Sequence, residues 1–589
     1  MNGSTLVILL ALLAGSALAW RRGARAMATA LILVAALPAV TLLKQTPAWA
    51  VVAVGVVLVG VLWHRHARTA ATITRWSAIS RRKAGVASTM DIARVASAPA
   101  MRRKAASVRP SLAQTTRRAR WLQLLRLPAV EVAVRLCRVG AQSVWASVED
   151  FIVVFGGPRT GKTQWLAGRI IDASGAVLVT STRIDLLDIT APLRGSKGPV
   201  YVFNAVGMAG LASTITFDPL TGCTDPTTAA ERAADMLGAS RGGSGDREFW
   251  DAQGRRVLAA LMHAAALGGL HMRDVLGWVA DPDSAGRVES LLRRSPEDAF
   301  VQEARQFIST NDRTRSSITS TIMPALGWLT SSAAAAAAEG STPFDVAELL
   351  ASRATVYLLG AEETQAAPLV CALTGHVARE ARRIAAGCPG GRLDPPLTLA
   401  LDEAALISPV PLQSWSADMG GRGVTIISAF QSRAQLLARY GQHDAATTLN
   451  NAGSVMVFGG TRDRDDLNFW ATLGGERDEP ITTTDLHGRV ASRTVRKVPV
   501  VAPAQIANLP AGRVVTFRRG MPPVVGTVDM AWRRRDVRAL SRTGGRWERP
   551  RRAWAWLTRP PFSPAHEVAP IARDLPVWAT ARPDEGWRN

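Results

Sequence analysis

The apolar positions of this chain follow three successive patterns. From the start to about residue 63 they are nearly unbroken, in the runs Thr5 to Trp20, Met27 to Leu43 and Ala48 to Trp63. From 151 to 532, short aliphatic and β-branched runs alternate with stretches of helical spacing. Beyond Trp532 the apolar residues scatter among Arg, Trp and Pro, a pattern that predicts little regular structure.

The middle regime predicts strands at Phe151–Phe155, Ala176–Thr180, Val200–Asn204, Thr355–Leu359, Leu397–Leu401, Val424–Ser428, Val455–Phe458 and Val514–Phe517. Continuous apolar runs of this length suit strands covered on both faces, so an α/β fold with a mainly parallel sheet is expected. Between Asp225 and Gly340 no strand pattern appears. Ala229–Leu237, Phe249–Ala266, Val275–Val279 and Val301–Ile308 carry helical spacing instead, which predicts an all-helical insertion. The expected organisation is a transmembrane region over 1–64, a basic cytoplasmic connector over 65–140, a nucleotide-binding domain over 141–224 and 341–532, an all-α insertion over 225–340, and a basic tail over 533–589.

Each of the opening runs, 5–20, 27–43 and 48–63, is about the minimum that crosses ~30 Å of hydrocarbon at ~1.5 Å per residue. Arg21, Arg22 and Arg25 follow the first run, Lys44 the second, and Arg65, Arg68, Arg75, Arg81, Arg82 and Lys83 the third. The positive-inside rule then predicts a multi-pass protein of the cell (inner, cytoplasmic) membrane, N-terminus outside and everything after Trp63 in the cytoplasm. A signal peptide ending at Ala17-Leu18-Ala19 is the weaker alternative, because the run has no charged start.

The formal net charge of +23 changes this picture little, because it is unevenly spread. Residues 62–150 hold 17 basic and 4 acidic residues, and 533–589 hold 13 and 6, which leaves 151–532 close to neutral. The excess lies in the connector, around Arg102-Arg103-Lys104 and Arg109, and in the tail, where anionic membrane lipid is as good a partner as DNA. The four dispersed cysteines, Cys137, Cys223, Cys371 and Cys388, form no C-x-x-C pair and suit a reducing compartment.

The chemistry begins at Gly156-Gly157-Pro158-Arg159-Thr160-Gly161-Lys162-Thr163. This is P-loop spacing, preceded by a predicted strand and followed by a predicted helix from Gln164. Loop amides and the helix N-terminus converge on phosphate in that setting. Gly156 and Gly161 let the backbone wrap the phosphates, with Gly157, Pro158, Arg159, Thr160 and Gln164 completing the cradle. Lys162 supplies charge to the outer phosphates and Thr163 an oxygen for Mg²⁺. Only six lysines occur in the chain, so a chance G-K-T is improbable. The expected ligands are ATP and Mg²⁺.

A second half-site is predicted at Leu397–Leu401, Asp402 and Glu403, where a buried strand delivers two carboxylates to its C-terminal edge. Asp402 is assigned to the metal and Glu403 to the attacking water. The next strand ends near Gln431, a candidate γ-phosphate sensor. Arg422 lies at that strand's other end, too far at ~3.3 Å per residue to reach its own nucleotide, and is a candidate to reach a neighbouring subunit's.

Together with Val179-Thr180-Ser181-Thr182-Arg183, Phe217-Asp218-Pro219-Leu220, Phe249-Trp250 and Gly421-Arg422-Gly423 through Gln431-Ser432, these residues resemble the TraG/TraD-type coupling proteins of conjugative type IV secretion. The resemblance covers about residues 1–530. It implies a RecA-like motor, a homohexamer with nucleotide sites between subunits, ATP-driven movement of single-stranded DNA with its relaxase, and contact with a secretion channel. The short loops between the apolar runs and the Trp-rich tail depart from the family pattern. Few lysines beside much Ala and Arg suggest a high-GC genome, as in actinobacteria. Two other readings share the motor: an FtsK/HerA-like translocase of double-stranded DNA, and a scaffold that binds nucleotide only to assemble.

Overall fold

Every strand named from the sequence forms, because each run is apolar on both faces and is covered on both. The computed structural model describes residues 85–113, 116–240, 248–339, 344–360, 365–484 and 490–543. An 11-stranded sheet runs in the order β2-β1-β13-β12-β9-β3-β8-β7-β4-β6-β5. Its members are β1 (Ala133–Val139), β2 (Gln142–Ser147), β3 (Ile152–Phe155), β4 (Val177–Ser181), β5 (Val200–Asn204), β6 (Thr355–Leu359), β7 (Leu397–Leu401), β8 (Val424–Phe430), β9 (Ser454–Phe458), β12 (Arg513–Arg518) and β13 (Met521–Thr527). A separate ribbon pairs β10 (Glu476–Thr484) with β11 (Val490–Pro499).

From β9 through β5 the pairing is parallel throughout. The β12, β13, β1 and β2 end is antiparallel. Parallel strands need crossovers, and helices supply them: α1 (Lys162–Asp172) after β3, α2 (Asp185–Arg194) after β4, α5 (Ala367–Ala386) after β6 and α6 (Arg433–Asn451) after β8. Between β5 and β6 the described residues hold helices and no strand. α4 (Glu248–Gly268) is the longest of them, and α3 (Pro226–Ser240) packs against it. Ile152, Val154, Ala400, Ile427 and Met456 form the core beneath the sheet's centre with Leu166 and Ile170 of α1.

Three expectations are corrected. The connector does not extend to residue 140: β1 begins at Ala133 and pairs with β13, and the helical segment before it is docked to the motor. Arg109 pairs with Glu131 and lies 2.8 Å from Asp394. β1 was missed because Arg135 and Arg138 interrupt its apolar pattern, yet both find Asp529, at 3.0 and 3.5 Å. The tail begins with order, since α7 (Arg535–Thr543) follows β13.

The third correction is the cell-membrane localisation. No helix among the described residues is long and apolar enough to cross a membrane. The longest ones are interrupted by charge: α4 carries Asp251, Arg255 and Arg256, and α5 carries Arg379, Glu380, Arg382 and Arg383. The predicted spans 5–20, 27–43 and 48–63 lie outside the described residues.

Candidate nucleotide site

Three adjacent strands end side by side at the same edge of the sheet. β8 lies between β3 and β7, with Phe155 level with Phe430 and Leu401 level with Ser428. That register brings the loop after β3, the Asp402–Glu403 pair after β7 and Gln431 after β8 to one place.

The loop itself is shaped by backbone constraints. Gly161 has φ +104° and caps α1, and a Cβ there would fall 2.3 Å from the Met530 methyl. Only glycine fits both conditions. Arg159 is also left-handed, at φ 62°, a conformation that costs a non-glycine residue about 1–3 kcal/mol. Surrounding bonds hold it: the Thr160 hydroxyl donates to the Gly157 carbonyl (2.8 Å), and the Gly512 amide donates to the Thr160 carbonyl (2.9 Å). Gly156 is buried, with its Cβ position 2.7 Å from Phe458, whereas Pro158 and Arg159 are exposed.

Lys162 opens α1, with its side chain only 7% exposed and its Nζ 3.0 Å from Glu403 Oε1. Gln431 Nε2 donates to the other carboxylate oxygen of Glu403 at 3.2 Å. The Thr163 hydroxyl donates to Asp402 Oδ2 at 3.2 Å, and the Thr180 hydroxyl fixes the Asp402 carbonyl at 3.0 Å. Glu403, at φ 48°, turns sharply out of β7 and so stands beside Asp402 rather than beyond it.

Asp402 is buried, and burial pushes its carboxyl up to about 6. Glu403 adds to that rise, while Lys162 and the Thr163 hydroxyl oppose it. Its Oδ1 is buried without a hydrogen-bond partner. A buried, unpartnered carboxylate oxygen next to a threonine hydroxyl is the donor chemistry Mg²⁺ takes, so Asp402 and Thr163 fit that ion.

Arg422 is elsewhere. It ends a 3₁₀ turn, Met419–Arg422, before β8 begins, at the edge opposite Gln431. Its guanidinium is 3.5 Å from Asp418 and borders a cavity of about 560 Å³ with Arg232, His376, Arg379 and Arg383. The structure does not bring it to the P-loop of its own chain.

Sequence reasoning missed one wall of the site. The segment from Asp529 to Arg534 lies along α1: Met530 meets Gly161, the Trp532 amide donates to Gln164 Oε1 (3.3 Å), and Arg534 donates to Asp172 (2.7 Å). Only the tail's Arg and Trp content hinted at it, and nothing in the local pattern pointed to α1.

Comparison with known proteins places this site in context. The family described as the TraM recognition site of TraD and TraG matches residues 396–511, which span β7 through β11. The conjugal transfer protein TraG of Rhizobium radiobacter is 22% identical over 321 residues, 52% of this chain and 49% of that protein. A probable conjugal transfer protein TraG of Sinorhizobium fredii is 23% identical over 362 residues, 58% and 54%. The chain thus spans about half the length of the curated relatives it matches. Among solved structures, the unbound bacterial conjugative coupling protein TrwBdeltaN70 superposes with a TM-score of 0.50 at 18% identity. The match covers 67% of this chain and 89% of that one, and it supports the α/β fold with its mainly parallel sheet.

Proposed function

We propose that this chain, a relative of the TraG/TraD-type coupling proteins of conjugative type IV secretion, is the ATPase that drives DNA transfer in such a system. The observation that carries the reading is the convergence of Lys162, Glu403, Gln431, Thr163 and Asp402 from three neighbouring strand ends within hydrogen-bonding reach.

The chemistry follows from those contacts. ATP phosphates lie on the amides of residues 157–163, where the N-terminus of α1 favours negative charge. Lys162 is the point charge for the outer phosphates and stabilises the charge that builds during transfer. Glu403 takes the proton of the attacking water, its carboxylate oriented from both sides by Lys162 and Gln431. Gln431, at the end of the strand between the two half-sites, is placed to register the γ-phosphate. Thr163 and Asp402 would hold Mg²⁺, which neutralises phosphate oxygens when bound.

In this reading the chain works as a homohexamer, its cargo is relaxase-bound single-stranded DNA, and it hands that cargo to a secretion channel. The match of residues 396–511 to the TraM recognition site of TraD and TraG supports a docking surface for a partner of the TraM kind on the exposed part of that range. DNA-stimulated ATP hydrolysis by the full chain tests the proposal. Stimulation by single strands is expected. Stimulation by duplex alone would favour the FtsK/HerA-like reading, and ATP binding without DNA-stimulated turnover would favour a scaffold.

A further inference from the structure

The phosphate half of the site is accounted for by the loop, Asp402, Glu403 and Gln431, but none of these receives the nucleoside. Chain order indicates where it must emerge. The outer phosphates belong with Lys162 and Glu403, so the α-phosphate falls at the first turn of α1 and the nucleoside leaves beyond it, beside Gln164.

What lies beside Gln164 is the segment Asp529–Arg534. Gln164, Gly168 and Asp172 fall on one face of α1 at a spacing of four residues, and all three meet this segment. The Trp532 amide bonds Gln164, and Arg534 bonds the Gly168 carbonyl (3.4 Å) and Asp172. Arg534 is further braced by Asp536 at 2.7 Å. The backbone carrying Trp532 is therefore fixed to the P-loop helix by its neighbours on either side, with Met530 buried against Gly161.

The Trp532 side chain is not buried with them. It is 52% exposed, whereas Trp165, Trp328 and Trp470 are almost wholly covered. Arg533 lies over one face of its ring, 4.6 Å from the centroid. The guanidinium packs on the ring, which stays half exposed. Trp121 is exposed as well, at 59%, but Trp532 is the exposed tryptophan whose backbone is bonded to the P-loop helix, and its ring is a flat surface of the size a nucleobase stacks on.

Resting on the nucleotide reading above, we infer that Trp532 is the stacking platform for the nucleobase, which makes the start of the tail part of the ATP site. Stacking reads the π-face and not the base edge, so the platform raises affinity for nucleotides over bare polyphosphate without choosing strongly among bases.

The test is calorimetric titration of the full chain with ATP and, separately, with inorganic tripolyphosphate, in the presence of Mg²⁺. Trp532→Ala is expected to weaken ATP about tenfold or more and leave tripolyphosphate unchanged, and Trp532→Phe to restore most of the loss. An unchanged ATP affinity in Trp532→Ala overturns the platform, as does an equal loss for both ligands, which would mean a structural role. A wild-type chain that binds neither ligand overturns the nucleotide reading itself, and the platform with it.

Discussion

Lys162 Nζ lies 3.0 Å from Glu403 Oε1, so the side chain proposed to hold phosphate is ion-paired with the one proposed to activate water. The two come from α1 and from the end of β7, which are 241 residues apart in the chain. Both are largely shielded from solvent, where such a pair is screened little by salt. Phosphate arriving at the loop would share Lys162 with Glu403 and so couple nucleotide binding to the orientation of the base.

Lys162→Ala removes that shared charge. Turnover should fall by about a hundred- to a thousandfold, because the lost stabilisation acts mainly on the transition state. An ATPase assay on the purified chain decides it, and near wild-type turnover would refute the P-loop assignment.

Glu403→Gln and Asp402→Asn should separate binding from chemistry. The first keeps Mg²⁺-dependent ATP binding and slows hydrolysis about 10²–10⁴-fold, since an amide accepts no proton from water. The second weakens binding only when Mg²⁺ is present. Identical binding behaviour in the two variants would mean the roles are wrongly divided.

Arg422→Ala should lower turnover about a thousandfold at unchanged nucleotide affinity if it reaches a neighbour's site. Mixing Arg422→Ala with Lys162→Ala chains should recover part of the activity, because each supplies what the other lacks. Without recovery in well-mixed assemblies, Arg422 belongs to the cavity beside Asp418 and to nothing catalytic.

His376 gives a pH dependence with a definite sign. Its ring stacks on Phe217, its Nδ1 accepts from Arg232 (3.3 Å), and Arg379 and Glu380 stand nearby. Burial lowers its pKa to about 4, helped by Arg232 and Arg379 and opposed by Glu380. The folded chain refuses a proton that the unfolded chain accepts below pH 6.5. Stability from this group is therefore complete above that pH and falls toward pH 4, by at most about 3 kcal/mol. His376→Gln should flatten the fall of Tm between pH 6.5 and 4, and parallel Tm curves for the two proteins would count against this account.

The parallel sheet was legible in the sequence because its strands are apolar on both faces, so local pattern alone marks Val424–Ser428 or Leu397–Leu401. The helical block between β5 and β6 was legible for a similar reason, through its spacing. β1, β2, β10, β11 and β13 were not. Arg135, Pro480, Lys497 and Pro522 break the apolar pattern of their strands; β10 and β11 form through pairing with each other, and β1 is completed only by a partner far along the chain, as Arg135 finds Asp529.

The same division holds at the site. Residue type and spacing determined that Gly156–Thr163 would follow a strand and lead into a helix, and that Asp402 and Glu403 would end another strand. They could not determine that β8 separates those strands by a single position, which is what puts Gln431 against Glu403. Nor could they place Trp532 beside Gln164, 368 residues away, since that contact depends on how the segment after β13 closes over α1. Local chemistry is written in short-range pattern, but strand order and long-range closure are chosen by the whole chain's packing, and that choice decided which residues share the site.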